Sequence, residues 1–429
     1  MLGSALALLA LGAPGVGGLE LSLSLARPLE QAGSTATSNV LRVGVRAPEQ
    51  TRAPVNLALV LDRSGSMAGE KLARVRQAAR ILVDRLGPED ILSVVSYADG
   101  AEVLVPATRT DRKEEVIAAL SRLEARGDTA LFAGVSLGLA ELRRFLDPAR
   151  VDRMILVSDG DANLGPSTPS ELDRLGASAA KQGIAISTIG LGLGYNEDLM
   201  SRLASASGGN HGFAETAEAL GRLFDAELRD LLSVAAREVE IAVHLPEGMR
   251  PVRSLNRAAE VYPSAVIAEL VQLPAERDRT LLVELELDPR AVGARAAATV
   301  EVRAIRPGDG VEIQARDRAE VRWVADPAQV ARAENPAVMV DTIEAIGVQT
   351  SRRAVELKDR GLEEQAQKAL LDNADLLQSS ALRYGSSKLE VQSAQNRDDA
   401  KGLEDAKDWQ ETRKKMRSRQ HKLDTQQSY

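Results

Sequence analysis

The stretch Val55–Asp62, reading VNLALVLD, is a continuous apolar run but for Asn56 and ends on an aspartate, and it constrains the chain more than any other segment. A strand that is apolar on both faces has to be covered on both faces, which is the condition of a central strand in a parallel sheet flanked by helices. The residues that follow fit that condition. Leu72, Val75, Ala78, Ala79, Leu82, Val83 and Leu86 form one stripe and predict a helix over 70–86, stopped by Gly87-Pro88. ILSVVSY, the turn Ala98-Asp99-Gly100 and AEVLVP predict a hairpin that adds one antiparallel edge strand. Helices over 111–125 and 131–146, the strand DRMILVS, a helix over 169–182, the strand GIAISTIGL and helices over 196–206 and 216–232 complete the set. The fold class is therefore α/β, with a Rossmann-like, doubly wound and mostly parallel sheet over residues 54–235.

On either side the period changes. Residues 236–325 alternate apolar and polar side chains in EVEIAVHL, AVIAELVQL, TLLVELEL, ATVEVRAI and AEVRWVA, which predicts an antiparallel β-sandwich. Residues 19–53 carry two short strands, LELSLSL and NVLRVGV, around a polar loop at 33–38. Two strands are marginal alone, so they are expected to complete the later sandwich, with the α/β unit inserted in it or flanked by it. Residues 326–429 read as a helical tail with a helical hairpin around Gly361. Beyond Asn396, charged and amide side chains dominate, which reads as a solvated helix or partial disorder, and the basic run Arg413–Lys422 reads as a solvated face.

Length and composition narrow the function. A chain of 429 residues is too long for one core. Aromatic content of 3% leaves little for base stacking, and a net charge of −8 gives no general attraction to phosphate, so nucleic acid is not an expected partner. Gly190, Gly192 and Gly194 follow a strand as G-x-G-x-G, which is a tight turn rather than a dinucleotide loop, and no phosphate-binding G-x-x-x-x-G-K occurs, so no nucleotide is expected. There are no cysteines, hence no disulfide, thiolate metal site or cysteine nucleophile. Residues 1–18 are small, apolar and uncharged, with Ala5–Leu11 as the core of a signal-like segment. The expectation is export to the periplasm, the extracellular space or the cell envelope, with membrane association only if that segment is retained.

Three loops carry the chemistry. Asp62-Arg63-Ser64-Gly65-Ser66 leaves the strand NLALVL, Gly127-Asp128-Thr129 leads into the helix at Leu131, and Ser158-Asp159-Gly160 leaves the strand MILV. In an open parallel sheet, loops at the carboxyl ends of strands converge where the strand order reverses. Hydroxyls of Ser64, Ser66 and Thr129, backed by the carboxylates of Asp62 and Asp159, then meet at one point. An all-oxygen set of this kind suits Mg²⁺, with Mn²⁺ or Ca²⁺ as alternatives. The bland reading, that Asp62, Ser64 and Ser66 only form a turn and cap a helix, leaves Thr129 and Asp159 as coincidences.

LVLDRSGSM, GDTALFAGV, LVSDGDANLG and ISTIGLGLGYNEDLMSRLASASGGNHGF follow in an order that resembles von Willebrand factor type A domains with a metal-ion-dependent adhesion site. The order is that seen in secreted bacterial members, which are similar to inter-alpha-trypsin inhibitor heavy chains and calcium-activated chloride-channel regulators. The resemblance implies direct metal contacts from Ser64, Ser66 and Thr129, and contacts through water from Asp62 and Asp159. It also implies binding of a protein partner that presents an Asp or Glu to the metal, without turnover. Asp128 departs from the family's usual Gly before the Thr and places an extra carboxylate beside the site.

The function expected is a non-enzymatic, metal-dependent adhesion or scaffolding module. The alternative is a cell-envelope assembly or chaperone-like scaffold that binds mainly through the helical tail, with the metal structural. Catalysis lacks a base, because no His or Lys is expected near the three loops. His211, His244 and His421 are far apart in sequence, and His211 reads as structural. Glu197-Asp198 reads as an acidic pair favoured at a helix N-terminus, and Asn163 as a brace of the turn after Asp159.

Overall fold

The structure, a computed structural model, describes residues 18–33, 35–160, 162–403 and 406–427. Apart from Gly18, the signal-like segment lies outside the described residues. Three strands come first, β1 (Glu20–Leu25), β2 (Leu29–Gln31) and β3 (Thr37–Arg46). The α/β unit then runs β4 (Val55–Asp62), α1 (Glu70–Arg85), β5 (Ile91–Tyr97), β6 (Ala101–Arg109), α2 (Lys113–Ser121), α3 (Leu131–Leu142), β7 (Val151–Ser158) and α4 (Pro169–Ala180). It closes with β8 (Ala185–Leu191), α5 (Glu197–Ser207), β9 (His211–Ala214) and α6 (Ala217–Leu232). Seven strands follow: β10 (Val234–His244), β11 (Met249–Ser254), β12 (Glu260–Tyr262), β13 (Ala265–Pro274), β14 (Arg279–Leu287), β15 (Arg295–Arg306) and β16 (Val311–Val324). The tail holds α7 (Pro327–Arg332), α8 (Pro336–Asp359), α9 (Glu363–Tyr384), α10 (Ser387–Lys401) and α11 (Ala406–Thr425).

The α/β sheet has the order β6-β5-β4-β7-β8-β9, parallel throughout except for the β5–β6 hairpin at one edge. All eight residues of β4 are buried, and they divide between two cores. Leu57, Leu59 and Leu61 pack with Val75, Leu82 and Phe224 on one face, while Ala58 and Val60 pack with Val135, Leu139 and Leu203 on the other. Helix α3 lies tight on the sheet because it presents glycines there. A methyl on Gly138 would sit 2.6 Å from the Val60 side chain, and one on Gly134 equally close to the Tyr97 ring.

The remaining strands form two facing sheets, β1-β3-β14-β11 and β12-β13-β10-β15-β16-β2. Leu41, Val43, Val45, Ile241, Val243, Leu281, Val283, Val300, Val302 and Trp323 share their core. The N-terminal strands thus join the later ones: β3 pairs along β14 from Thr37↔Leu287 to Val45↔Arg279, and β2 pairs with β16. The three-residue β2 lies in a stretch too short to show a period, and the sequence reading passed over it. The α/β unit enters after β3 and leaves into β10. It meets the sandwich at the amino end of β7, through polar contacts. Arg153 donates to Gln272 Oε1 (3.0 Å) and pairs with Glu227 (3.4 Å), Gln272 donates to Asp152 O (2.7 Å), and Arg237 donates to Arg150 O (2.6 Å) and Asp152 (3.2 Å).

The end of the tail differs from the expectation of a solvated or disordered segment. Helices α8, α9 and α10 pack as successive antiparallel hairpins, and α11 returns onto the α/β unit. Lys414, Met416, Ser418, Gln420 and His421 are all buried. Arg413 pairs with Glu197, Asp198 and Asp359, and Arg417 pairs with Asp198 at 2.9 Å. The docking face has helical spacing, but its residues are polar, which is why an apolar-stripe reading overlooks it. Glu197 and Asp198 accordingly do more than favour a helix dipole, because they hold the tail.

At the far end of α11, the His421 Nε2–H donates to Gly209 O (3.1 Å) and Nδ1 accepts from Ser205 Oγ (3.1 Å). Burial, together with nearby Arg352 and Lys422, pushes the His421 imidazole down to about 4, and burial with His421, Lys422 and Lys414 holds His211 well below the ordinary histidine range. Both rings are therefore buried neutral. As pH falls from about 6.5 toward 4, the unfolded chain protonates these histidines first, so their contribution to folding stability is complete above 6.5 and declines below it. His421 alone contributes up to about 3 kcal/mol to that decline. Asp152, raised to about 7 by burial, works in the opposite sense, so the histidine part is read as a difference: in urea unfolding across this range, the stability of wild type should fall relative to His421→Gln as the pH drops.

Candidate metal centre

The three loops meet at the carboxyl end of the sheet, where strand order reverses on either side of β4. The first loop is shaped by its own aspartate. Asp62 Oδ1 accepts from the Ser64 amide (2.8 Å), which turns the chain sharply after β4, and Met67 is buried and pins the short 3-10 turn at 65–67. Asp62 Oδ2 accepts from Ser158 Oγ (2.7 Å), joining the ends of β4 and β7. Burial raises the Asp62 carboxyl above its usual range, opposed by these hydrogen bonds from Ser64 and Ser158.

The second loop is held against the first by Gly65 N to Gly127 O (2.9 Å) and Arg126 N to Arg63 O (2.8 Å). Gly127 has φ +76°, and any side chain there would collide with Asp99, whose carboxylate accepts from the Asp128 amide (2.8 Å). The third loop closes on the second: the Thr129 amide donates to Asn163 Oδ1 (2.8 Å), and Asn163 N returns a bond to Thr129 O (3.2 Å). Asn163 thus ties two loops together, where the sequence suggested only a brace for its own turn.

These turns bring the five candidate residues together. Ser64 Oγ and Ser66 Oγ are 3.1 Å apart, and Ser66 Oγ donates to Asp159 Oδ1 (2.6 Å). A methyl on Gly160 would lie 3.3 Å from Thr129 Oγ1 and 3.5 Å from Ser66 Oγ, so both hydroxyls face the same small space, which stays open because residue 160 has no side chain. Asp62, Ser64, Thr129 and Asp159 are buried, while Ser66 and the neighbouring Asp128 are exposed. The recess therefore opens on one side. Among the described residues no group of three or more His, Cys, Asp or Glu side chains forms a metal cluster. The donors here are three hydroxyls with two carboxylates, a set that fits a hard cation and leaves coordination positions for water or an outside oxygen.

Two neighbours escaped the sequence reading, which expected no His or Lys near these loops. Lys71, on the first turn of α1, pairs with Asp159 Oδ2 and donates to Ser66 O (3.3 Å). The loop after β8 also backs the site: a methyl on Gly194 would lie 2.8 Å from Asp159 O, and α11 grips the same loop through Lys414 Nζ to Tyr195 O (2.6 Å) and Gln410 to Leu193 O (3.3 Å). The glycines at 190, 192 and 194 let this loop turn and close on the third loop, and the helical face that holds it is polar. His211 stands apart, buried between Thr188 Oγ1 (2.8 Å) and the Tyr195 hydroxyl (3.5 Å), as a structural histidine would.

The family profile for the von Willebrand factor type A domain matches residues 56–226, and that part of the chain is such a domain. An uncharacterized protein of Synechocystis is 28% identical over 305 residues, covering 68% of this chain and 72% of its own length. Inter-alpha-trypsin inhibitor heavy chain H3 of Rattus norvegicus is 31% identical over 170 residues, 38% of this chain and 19% of its own, so the match spans about a fifth of that relative. Among solved structures, a von Willebrand factor type A protein from Catenulispora acidiphila superposes with TM-score 0.71 at 18% identity, covering 92% of this chain and 90% of its own. That likeness speaks to the fold, and it extends over the sandwich and tail as well as the α/β unit. Domains of this class generally mediate protein–protein interaction and commonly hold a divalent ion.

Because Asn163 Oδ1 takes the Thr129 amide, Asn163→Ala should cost about 1 kcal/mol in urea unfolding with chelator present. It should also weaken metal binding, since Thr129 is then less well held.

Proposed function

We propose that this protein is a non-enzymatic binding module that holds one divalent ion of the Mg²⁺ class at Asp62, Ser64, Ser66, Thr129 and Asp159 and offers it to a carboxylate on a protein partner. The observation that carries this reading is the one-sided recess: four of the five side chains are buried, and the fifth, Ser66, stands at an open lip. Hydroxyl ligands are neutral, so an ion held mainly by Ser64, Ser66 and Thr129 keeps most of its charge and can attract an outside oxygen. This chain's own part is to hold those hydroxyls in place through the Asp62, Asp159 and Asn163 bonds described above. Among the described residues no helix is long and apolar enough to cross a membrane. The reading places the protein outside the cytoplasm, in the periplasm or at the cell envelope, on the strength of the small apolar segment at 1–18.

Thermal and urea unfolding of the full chain, first with EDTA and then with titrated Mg²⁺, Mn²⁺ and Ca²⁺, tests the site. An ion at about 100 times its dissociation constant should add roughly 2.7 kcal/mol. Thr129→Val keeps the shape and removes one ligand, so it should lose most of that gain while unfolding normally in EDTA. An ion-induced gain of equal size in both proteins would sink the assignment.

A further inference from the structure

Asp159 divides its two oxygens. Oδ1 faces the hydroxyl cluster and accepts from Ser66, while Oδ2 faces the ammonium of Lys71. The carboxylate is fully buried and the Lys71 side chain is 39% exposed, so the lysine closes Asp159 off from solvent at the rim. Its stem crosses beside the loop after β8, next to Gly192. The opposite rim is acidic. Asp99 and Asp128 are exposed there, and Glu102 is already paired with Arg63 at 3.0 Å. The recess thus has a cationic lip on the α1 side and an anionic lip on the β5–β6 side.

Charge counting gives this asymmetry a consequence. Counting only the buried Asp62 and Asp159 together with Lys71, two carboxylates and one ammonium give a single negative charge, and a divalent ion turns that centre singly positive. Without the lysine the same loading would leave it neutral. A net positive, half-open site draws in an anion, and the acidic lip steers that anion to the lysine side.

Resting on the metal-dependent binding reading above, we propose that Lys71 is the specificity-determining residue of the site, a tethered cation that weakens the hold on the divalent ion and in exchange makes the loaded site capture a carboxylate. The ligand class is a carboxylate group that reaches the ion from the α1 side.

The test is a Mn²⁺ titration of the full chain, following free ion by electron paramagnetic resonance, with wild type, Lys71→Met, Lys71→Arg and Asp62→Asn, followed by acetate titrated into each Mn²⁺-loaded protein. Lys71→Met should bind Mn²⁺ about fivefold more tightly or better, and its loaded form should bind acetate correspondingly less well. Lys71→Arg should stay near wild type. Raising the salt should shrink the difference between wild type and Lys71→Met, which a purely structural role would not do. If Lys71→Met binds Mn²⁺ no better than wild type while Asp62→Asn binds it worse, the inference about Lys71 is overturned and the metal site stands. If wild type and Asp62→Asn bind Mn²⁺ alike, the metal site falls and the inference falls with it.

Discussion

At the end of the central strand sits a carboxylate that has no access to water, Asp62, and the arrangement of the site depends on how it is satisfied. A buried ionised carboxylate is costly unless hydrogen bonds replace its hydration. Here the Ser64 amide and the Ser158 hydroxyl supply them. The first bond forces the turn that aims Ser64 and Ser66 into the recess. The second couples the end of β4 to the end of β7 and so sets Asp159, one residue on, opposite Ser66. Gly127 and Asn163 then bring Thr129 in from a third direction. Each loop is fixed by at least one bond to another, so the donors are positioned before any ligand arrives.

The two ends of the same sheet serve different purposes. At the amino end of β7, Asp152 and Arg153 lie in a buried polar seam with Gln272, Glu227 and Arg237, and burial raises the Asp152 carboxyl to about 7. At the carboxyl end of that strand, seven residues and about 23 Å away, Ser158 and Asp159 belong to the site. The sandwich therefore attaches at the end of the sheet that the binding recess does not use. Helix α11, 20 residues and about 30 Å long, connects the two ends along the α5 edge. Its first half holds the loop behind Asp159, and the chain just past it meets Arg279 and Thr280 of the sandwich through Gln426. Ion pairs and amide hydrogen bonds thereby join the α/β unit to the sandwich and the tail, while the sandwich and the tail also share an apolar cluster of Val40, Leu255 and Leu282 with Val338 and Ala345 of α8.

Much of this was legible in the residues. VNLALVLD announced a strand covered on both faces, the shift from helical to twofold period marked where the α/β unit gives way to the sandwich, and Asp62, Ser64, Ser66, Thr129 and Asp159 stood in loops that a parallel sheet has to bring together. Those signals are local: a strand's covering shows in its own side chains, and a turn's chemistry in its own serines and aspartates. The three-residue β2 was too short to carry a period, and Lys71 looked like any polar residue on the outer face of α1.

What only the tertiary structure decided was which polar groups face each other. Arg413, Lys414, Arg417 and His421 have the same composition as a solvated helix, and they become a docking surface only because Glu197, Asp198, Tyr195 and Gly209 stand at matching heights on another element. Apolar burial writes itself into a sequence as periodicity, since water repels such side chains wherever they occur. A charged or amide side chain is stable both in water and against a partner, and which of the two it meets is settled by the fold.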